Sequence, residues 1–259
     1  MGEGVEVNLV FVLGTAGSGK SHLTSAFSTW LSMQEEDVAT LNLDPGAIAL
    51  PYTPDVDVRD YIRVEDLMER YTIGPNGALV LACDMIAERI DEVKEDLELI
   101  NPDLVIIDTP GQMELFAFRR AGREIAERMP GEGKAVLYLF DSLFSREPLN
   151  YVVNMFLSAA VYNRFLLPQV HLLTKVDLLE EREVERELEW ASDPTRLEED
   201  IEGQLVGMRR LMSRGMMQAI VDIGVELSLI PVSSKTNRGF LDLYAELTRI
   251  FTGGEKFAV

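Results

Sequence analysis

The chain has 259 residues, a formal net charge of −20 and a hydrophobic fraction of 47%. A chain of this length and hydrophobicity can bury a sizeable core, which excludes a disordered protein and predicts one large α/β domain or a domain with an inserted subdomain. The negative charge opposes nonspecific binding to nucleic-acid phosphates, so no direct nucleic-acid partner is expected.

The composition and the N-terminal segment predict a soluble, cytoplasmic protein. No apolar run approaches the roughly 18 residues that a membrane span needs, and the N-terminus carries acids where a signal peptide carries basic residues. The N-myristoylation pattern fails at its sixth position, which is Glu6, and no membrane partner is expected. The single cysteine, Cys83, excludes an internal disulfide framework, fits a reducing compartment and is expected to pack in the core.

Short apolar runs bounded by turn residues alternate with helical stretches along the chain. This order predicts an α/β fold with a mostly parallel sheet flanked by helices. Ligands of such sheets bind at the carboxyl ends of the strands, so functional residues are expected there. The predicted strands, buried on both faces, are Val7–Leu13, Val38–Leu43, Leu104–Ile107, Ala135–Phe140, Val170–Leu173 and Val225–Val232.

The segment GTAGSGKS, residues 14–21, follows the first predicted strand and leads into a helix. It matches the pattern G-x-x-x-x-G-K-[ST] at every fixed position, which predicts the sheet of a P-loop NTPase; the alternative is a glycine-rich turn without a ligand. Lys20 would reach the β- and γ-phosphates, and the Ser21 hydroxyl would ligate Mg²⁺. The nucleotide-binding residues predicted here are Gly14, Gly17, Ser18, Gly19, Lys20, Ser21 and His22.

Two acids stand at the ends of other predicted strands. Asp108 in LVIIDTPGQ is placed where a second carboxylate would meet Mg²⁺, and the N–H of Gly111 can sense a γ-phosphate. Asp44 in LNLDPG is a further candidate for binding the metal or the attacking water. Both acids stand before proline-containing turns, so either one can instead initiate a turn.

The motifs TKVD and VSSK follow the fifth and sixth predicted strands. A carboxylate can accept both the N1–H and the N2–H of guanine, a match that adenine does not offer, so Asp177 would select guanine. Lys175 would lie along the base plane beside Thr174, while the region of Ser234 and Lys235 would present backbone donors to O6. These motifs predict GTP or GDP as the nucleotide, bound with Mg²⁺.

The ordered set GTAGSGKS, DTPGQ, TKVD and VSSK resembles the signature motifs of P-loop GTPases. With Gly74, Pro75 and Asn76 added, the chain looks like a GPN-loop GTPase, most like an archaeal member. The resemblance spans nearly the whole chain. In one respect the sequence departs from the usual Asn-Lys-x-Asp: Thr174 keeps a hydroxyl but loses the carboxamide that braces the phosphate loop in relatives.

The resemblance implies one GTPase domain, residues 1–259, with two helical insertions. The first, at about 45–100, holds the GPN loop, and the second, at about 180–222, is an acidic helical segment. The alternatives for the acidic segment are a solvated helical pair with i,i+4 ion pairs, which its charge pattern favours, and a partner-binding surface.

The resemblance also implies a homodimer in which each GPN loop reaches into the partner's nucleotide site. Asn76 would offer its carboxamide to the γ-phosphate and the attacking water across the interface, whereas in the plainer interpretation it only caps a helix. Gln112 and Glu114 are candidates for orienting that water, although Gln112 can instead contact the partner and Glu114 can favour a helix N-terminus. The catalytic residues so implied are Lys20, Asp44, Asn76, Gln112 and Glu114.

The predicted activity is Mg²⁺-dependent hydrolysis of GTP. A compatible role is a nucleotide-gated assembly factor or chaperone for a protein client, such as RNA polymerase assembly by family analogy, and a non-catalytic GTP-binding switch is the alternative. A dimeric ATPase is disfavoured because Thr15 stands where its loop carries an extra lysine. The Met-bearing helices at 150–167 and 207–220 can form a client groove, although such a stripe is more typical of a core.

Overall fold

The computed structural model describes residues 7–204, 211–212, 215–219 and 228–253. Within these ranges seven strands form one parallel sheet in the order β3-β2-β4-β1-β5-β6-β7. This architecture confirms the predicted α/β fold. The strands are β1 (Asn8–Gly14), β2 (Val38–Asn42), β3 (Val56–Asp57), β4 (Leu104–Asp108), β5 (Gly133–Asp141), β6 (Gln169–Thr174) and β7 (Leu229–Pro231).

Helices cover both faces of the sheet, and no helix in the described ranges is long and apolar enough to cross a membrane. Two short 3-10 turns occur at Val58–Asp60 and Val176–Leu178. The helices are α1 (Lys20–Met33), α2 (Val64–Tyr71), α3 (Pro75–Glu88), α4 (Ile90–Ile100), α5 (Met113–Ala117), α6 (Arg120–Arg128), α7 (Ser142–Ser145), α8 (Pro148–Phe165), α9 (Glu181–Ser192), α10 (Pro194–Gln204) and α11 (Phe240–Phe251).

The central strand β1 alternates its side chains between two apolar layers. Leu9, Phe11 and Leu13 enter one layer, and Val10 and Val12 enter the other. Because helices cover both faces, most of the strands are apolar on both sides, which is why the sequence pattern located them. The second layer is covered by α1 and α11 with apolar side chains at helical spacing, which are Leu23, Phe27, Leu31, Phe240, Leu243 and Leu247.

One strand was missed by the sequence pattern. Strand β3 has only two residues and follows Pro54, so it carries no readable alternation. The predicted last strand, Val225–Val232, is observed as Leu229–Pro231, and residues 225–227 lie outside the described ranges. The assignment of residues 45–100 and 180–222 as insertions in a single domain stays a prediction.

The acidic segment is not a simple solvated pair of helices. Its first helix, α9, buries Val184, Glu187 and Trp190 on one face. Glu181, at the start of α9, forms an ion pair with Arg238 just before α11, outside the acidic segment. The segment therefore packs into the molecule, and most of residues 205–222 lies outside the described ranges.

The parallel register brings the motif-bearing strand ends to one edge of the sheet. Asn42 at the end of β2 pairs with Asp108 at the end of β4, and Asp141 at the end of β5 pairs with Thr174 at the end of β6. The loop from Gly14 leaves β1 between these two pairs. The phosphate, acidic and base motifs thus meet at this edge, as expected for a parallel sheet.

Candidate functional site

The phosphate loop lies between β1 and α1 and leads directly into the first turn of that helix. Gly17 and Gly19 adopt φ angles of 80° and 98°, a left-handed conformation that glycine adopts without steric cost. This curl precedes the N-terminus of α1, where the first backbone N–H groups have no helical partner. The loop therefore presents N–H donors to an anion at the positive end of the helix dipole.

Lys20 is the cation of this loop, and only 5% of its surface is exposed. Its Nζ donates to the carbonyl oxygens of Gly14 at 2.9 Å, Thr15 at 3.1 Å and Gly111 at 3.4 Å. Burial lowers the pKa of Lys20, and the negative charges of Asp108 and Asp44 oppose that shift. The ammonium group is thus held at the point where the loop meets the DTPG segment.

Asp108 ends β4 with 1% of its surface exposed. Its Oδ2 accepts a hydrogen bond from the Tyr52 hydroxyl at 3.2 Å, while its Oδ1 has no partner within the described residues. Burial raises the pKa of Asp108 to about 6, and the nearby hydroxyls of Ser21 and Tyr52 and the charge of Lys20 oppose that shift. A buried carboxylate oxygen without a partner, beside a serine hydroxyl, is a donor set that suits Mg²⁺ bound largely through water and nucleotide phosphates.

Asp44 links the DPG turn to the DTPG segment. Its Oδ1 accepts the N–H of Gly46 at 2.9 Å, which is the turn-initiating contact offered as its alternative role. Its Oδ2 accepts the N–H of Gly111 at 2.9 Å, so the donor expected to sense a γ-phosphate is paired with Asp44. Each carboxylate oxygen keeps a second lone pair for a water or a metal ion, whereas the N–H of Gly111 must leave Asp44 before it can donate to a phosphate.

Gln112 and Glu114 follow Gly111 at the start of α5, and both are exposed. Gln112 occupies the N-cap position of α5 without a side-chain capping bond, and Glu114 lies in the first turn. The proposed role of these two side chains in orienting water remains a prediction.

Thr174 braces the phosphate loop, contrary to the expectation that losing the carboxamide would lose this support. Its buried hydroxyl lies 2.8 Å from the carbonyl oxygen of Ser18 and 3.1 Å from that of Phe140, and its single proton is shared between these two acceptors. Threonine has a shorter side chain than asparagine. Thr174 can still contact the phosphate loop because it lies at the end of β6, directly beside that loop.

Lys175 runs along the phosphate loop. It adopts a φ of 61°, and its Nζ donates to the carbonyl oxygen of Gly17 at 2.6 Å and to Oδ2 of Asp141 at 2.7 Å. Asp141 is a site residue that sequence reasoning missed, although its position at the end of β5 was a usable signal. The pair places the lysine stem where it would lie along a base.

Asp177 is exposed, and its Oδ1 accepts a hydrogen bond from the Ser233 hydroxyl at 2.7 Å. Ser233 is buried, and its Oγ in turn accepts the N–H groups of Lys235 at 3.2 Å and Thr236 at 3.3 Å. Sequence reasoning chose Ser234 within VSSK and missed Ser233. A cleft of about 650 Å³ is lined by Gly17, Gly19, His22, Ser25, Ala26, Thr174, Lys175, Asp177, Leu178, Ser234 and Lys235.

The GPN tripeptide lies at the start of α3 and is exposed. Gly74 is the N-cap, Pro75 is the first helical residue and Asn76 is the second, so the plainer interpretation of Asn76 as the helix cap is wrong. A Cβ atom added at Gly74 would meet nothing within 4 Å. Further along α3, Leu79 packs closely on Gly46: a Cβ atom added to Gly46 would lie 2.5 Å from Leu79 Cδ2. This contact joins α3 to the turn that contains Asp44.

The chain is similar to known proteins over most of its length. A family model described as "Conserved hypothetical ATP binding protein" matches residues 12–253. The chain is 35% identical over 241 residues to GPN-loop GTPase PAB0955 of Pyrococcus abyssi, covering 91% of this chain and 94% of that one. The crystal structure of the Pyrococcus abyssi protein, described as a GTPase in apo form, superposes with a TM-score of 0.83 at 34% identity, over 95% of this chain and 98% of that one.

A eukaryotic relative supports the same assignment. GPN-loop GTPase 1 of Dictyostelium discoideum is 34% identical over 187 residues, which is 71% of this chain but 46% of the longer protein. The names of these relatives specify GTP where the family description specifies ATP. The resemblance inferred from the motifs is confirmed: the chain belongs to the GPN-loop GTPase family.

Proposed function

We propose that the protein hydrolyses GTP to GDP and phosphate with Mg²⁺ as cofactor. The observation that carries the proposal is the meeting of Lys20, Ser21 and the unpartnered Oδ1 of Asp108 at the phosphate loop. Ser21 and Asp108 would hold the metal ion. When bound, Mg²⁺ neutralises charge that develops on the β- and γ-phosphate oxygens.

The chain's own residues supply position and charge for an in-line attack by water. The N–H groups of the loop and the ammonium of Lys20 would hold the phosphates, while Gly111 and Asp44 would lie beside the γ-phosphate. Gln112 and Glu114, exposed at the start of α5, are the candidates for orienting the water. Asp44 can join them through the free lone pairs of its carboxylate.

Guanine is the proposed base because of the carboxylate of Asp177. Ser233 fixes one oxygen of this exposed side chain at the cleft. A fixed carboxylate pairs with the N1–H and N2–H of guanine, whereas adenine offers an acceptor at N1. The names of the relatives support GTP, and competition between GTP and ATP for the site is the direct test.

We further propose a homodimer in which Asn76 of one subunit completes the partner's site. The support is an exposed tripeptide with open space at Gly74, on a helix that packs against the Asp44 turn through Leu79. Asn76 makes no side-chain hydrogen bond within the described residues. A polar group in that state is free to donate to a γ-phosphate across a two-fold interface.

The test is hydrolysis of GTP by Asn76→Ala, by Lys20→Ala and by an equimolar mixture of the two. Asn76→Ala should lower kcat while leaving GDP affinity near wild type, because the contact is made chiefly in the transition state. Each variant should be inactive alone, and random mixing should restore about one quarter of the wild-type activity per site, since half of the dimers are hybrids with one complete site.

Asn163→Ala is the matched control, because Asn163 is also an exposed helical asparagine, on α8. It should change neither kcat nor affinity. If hybrids form, as shown by pull-down on a tag carried by one variant, and no activity returns, Asn76 does not act across the interface. Wild-type kcat in Asn76→Ala would remove it from the catalytic residues altogether.

A role as a nucleotide-gated assembly factor, with RNA polymerase assembly as the analogy from the family, is a further proposal. The Met-bearing helix α8 does not favour a client groove, because Met155 is 5% exposed and packs in the core. The other stretch, residues 207–220, lies mostly outside the described ranges. A change in the binding of a hydrophobic dye between the GDP-bound and GTP-analogue-bound protein would support a switched client surface, and equal binding would oppose it.

A further inference from the structure

Tyr52 enters the phosphate site from the segment between β2 and β3, which none of the nucleotide motifs covers. Its hydroxyl donates to Oδ2 of Asp108 at 3.2 Å. The other oxygen of that carboxylate, Oδ1, is buried and has no partner within the described residues. One oxygen of Asp108 is therefore held by protein while the other is left available.

Two anchors fix the segment that carries Tyr52. On its N-terminal side, the hydroxyl of Ser25 on α1 donates to the carbonyl oxygen of Pro51 at 3.2 Å. On its C-terminal side, Asp55 accepts hydrogen bonds from the N–H of Thr40 at 2.7 Å and from its hydroxyl at 2.8 Å, both on β2. The position of Tyr52 is thus set by the same helix and sheet that build the phosphate site.

The hydrogen bond from the Tyr52 hydroxyl can fix the orientation of the Asp108 carboxylate. A tyrosine hydroxyl carries its proton at neutral pH and can donate to a carboxylate. The terminal torsion of an aspartate has broad preferences, so a bond to one oxygen restricts where the other points. Groups that orient a metal ligand in this way typically change metal affinity by about 10- to 100-fold when removed.

We propose that Tyr52 is a positioning residue for the magnesium–nucleotide complex, holding Oδ2 of Asp108 so that Oδ1 is left for the hydrated metal ion. Tyr52 acts through Asp108 and not by contact with the nucleotide. The inference rests on the proposed Mg²⁺-dependent guanine nucleotide site.

The test is Tyr52→Phe, which removes the hydroxyl and keeps the ring. Binding of a fluorescent GDP analogue is titrated with Mg²⁺ and also measured in EDTA. The half-saturating Mg²⁺ concentration should rise about tenfold, while nucleotide affinity in EDTA stays at its wild-type value. Tyr162→Phe, at an exposed tyrosine on α8, is the matched control and should leave both quantities unchanged.

A wild-type Mg²⁺ requirement in Tyr52→Phe overturns the proposal. Equal weakening of binding in EDTA and at saturating Mg²⁺ also overturns it, because Tyr52 would then shape the whole site and not the metal ligand. Wild-type protein that binds no guanine nucleotide, or binds it without regard to Mg²⁺, refutes the proposed function itself and this inference with it. The wild-type titration therefore separates the two failures.

Discussion

The buried carboxylate of Glu187 should make stability depend on pH. Glu187 lies on the inner face of α9, fully buried, and neither of its oxygens has a hydrogen-bond partner within the described residues. Burial, helped by the charges of Glu183 and Asp141, raises its pKa from 4.5 to about 8 against the charges of Arg186 and Arg146. The native state therefore keeps a proton that the unfolded chain releases.

The direction and the size of this change in unfolding free energy with pH follow from proton linkage. Between about pH 4.5 and pH 8 the native state binds more protons than the unfolded state, so the stabilising contribution of this proton is full below that window and is lost as the pH rises through it. From about pH 5 to pH 8 the expected loss is about 3 kcal/mol of unfolding free energy. Glu187→Gln keeps the shape of the side chain and cannot ionise, so it should not show this loss.

The assay is urea unfolding of wild type and Glu187→Gln across this pH range, with the denaturant slope held common. As the pH rises, the unfolding free energy of wild type should fall relative to that of Glu187→Gln. Glu185→Gln, at an exposed position on the same helix, controls for the change in net charge and should follow the wild-type curve. Parallel curves for wild type and Glu187→Gln would refute a native carboxyl with a raised pKa.

Three further outcomes are expected at the nucleotide site. Lys20→Ala should nearly abolish nucleotide binding in calorimetry while the protein remains folded, and unchanged binding would remove the phosphate-site assignment. Asp177→Asn should weaken GTP binding about 100-fold and improve binding of xanthosine triphosphate, whose C2 carbonyl accepts from the new amide. Retained GTP preference in competition assays would show that another group reads the base. Thr174→Val should lower the unfolding free energy by about 1–3 kcal/mol, because the Ser18 carbonyl loses its buried donor; an unchanged denaturation midpoint would mean that the hydroxyl does not brace the loop.

Most of the fold could be predicted because its signals are local. Strands buried on both faces are continuous apolar runs, and helix α1 repeats Leu23, Phe27 and Leu31 at four-residue spacing. The two-residue strand β3 escaped detection because pairing with β2, not its own pattern, makes it a strand. Glu187 was expected on a solvated face because its neighbours in sequence are charged, whereas its burial depends on packing against distant elements.

The phosphate loop, the acids at the strand ends and the base motif can be identified from the sequence, because each is a short run whose backbone and side chains act together. The groups that hold these residues in place are known only from the folded chain. Three hydrogen bonds join residues that are far apart along the chain: Tyr52 and Asp108 are separated by 56 residues, Lys175 and Asp141 by 34, and Ser233 and Asp177 by 56. Such hydrogen bonds depend on which strand ends and loops lie side by side, a property of sheet order and register that no local pattern contains.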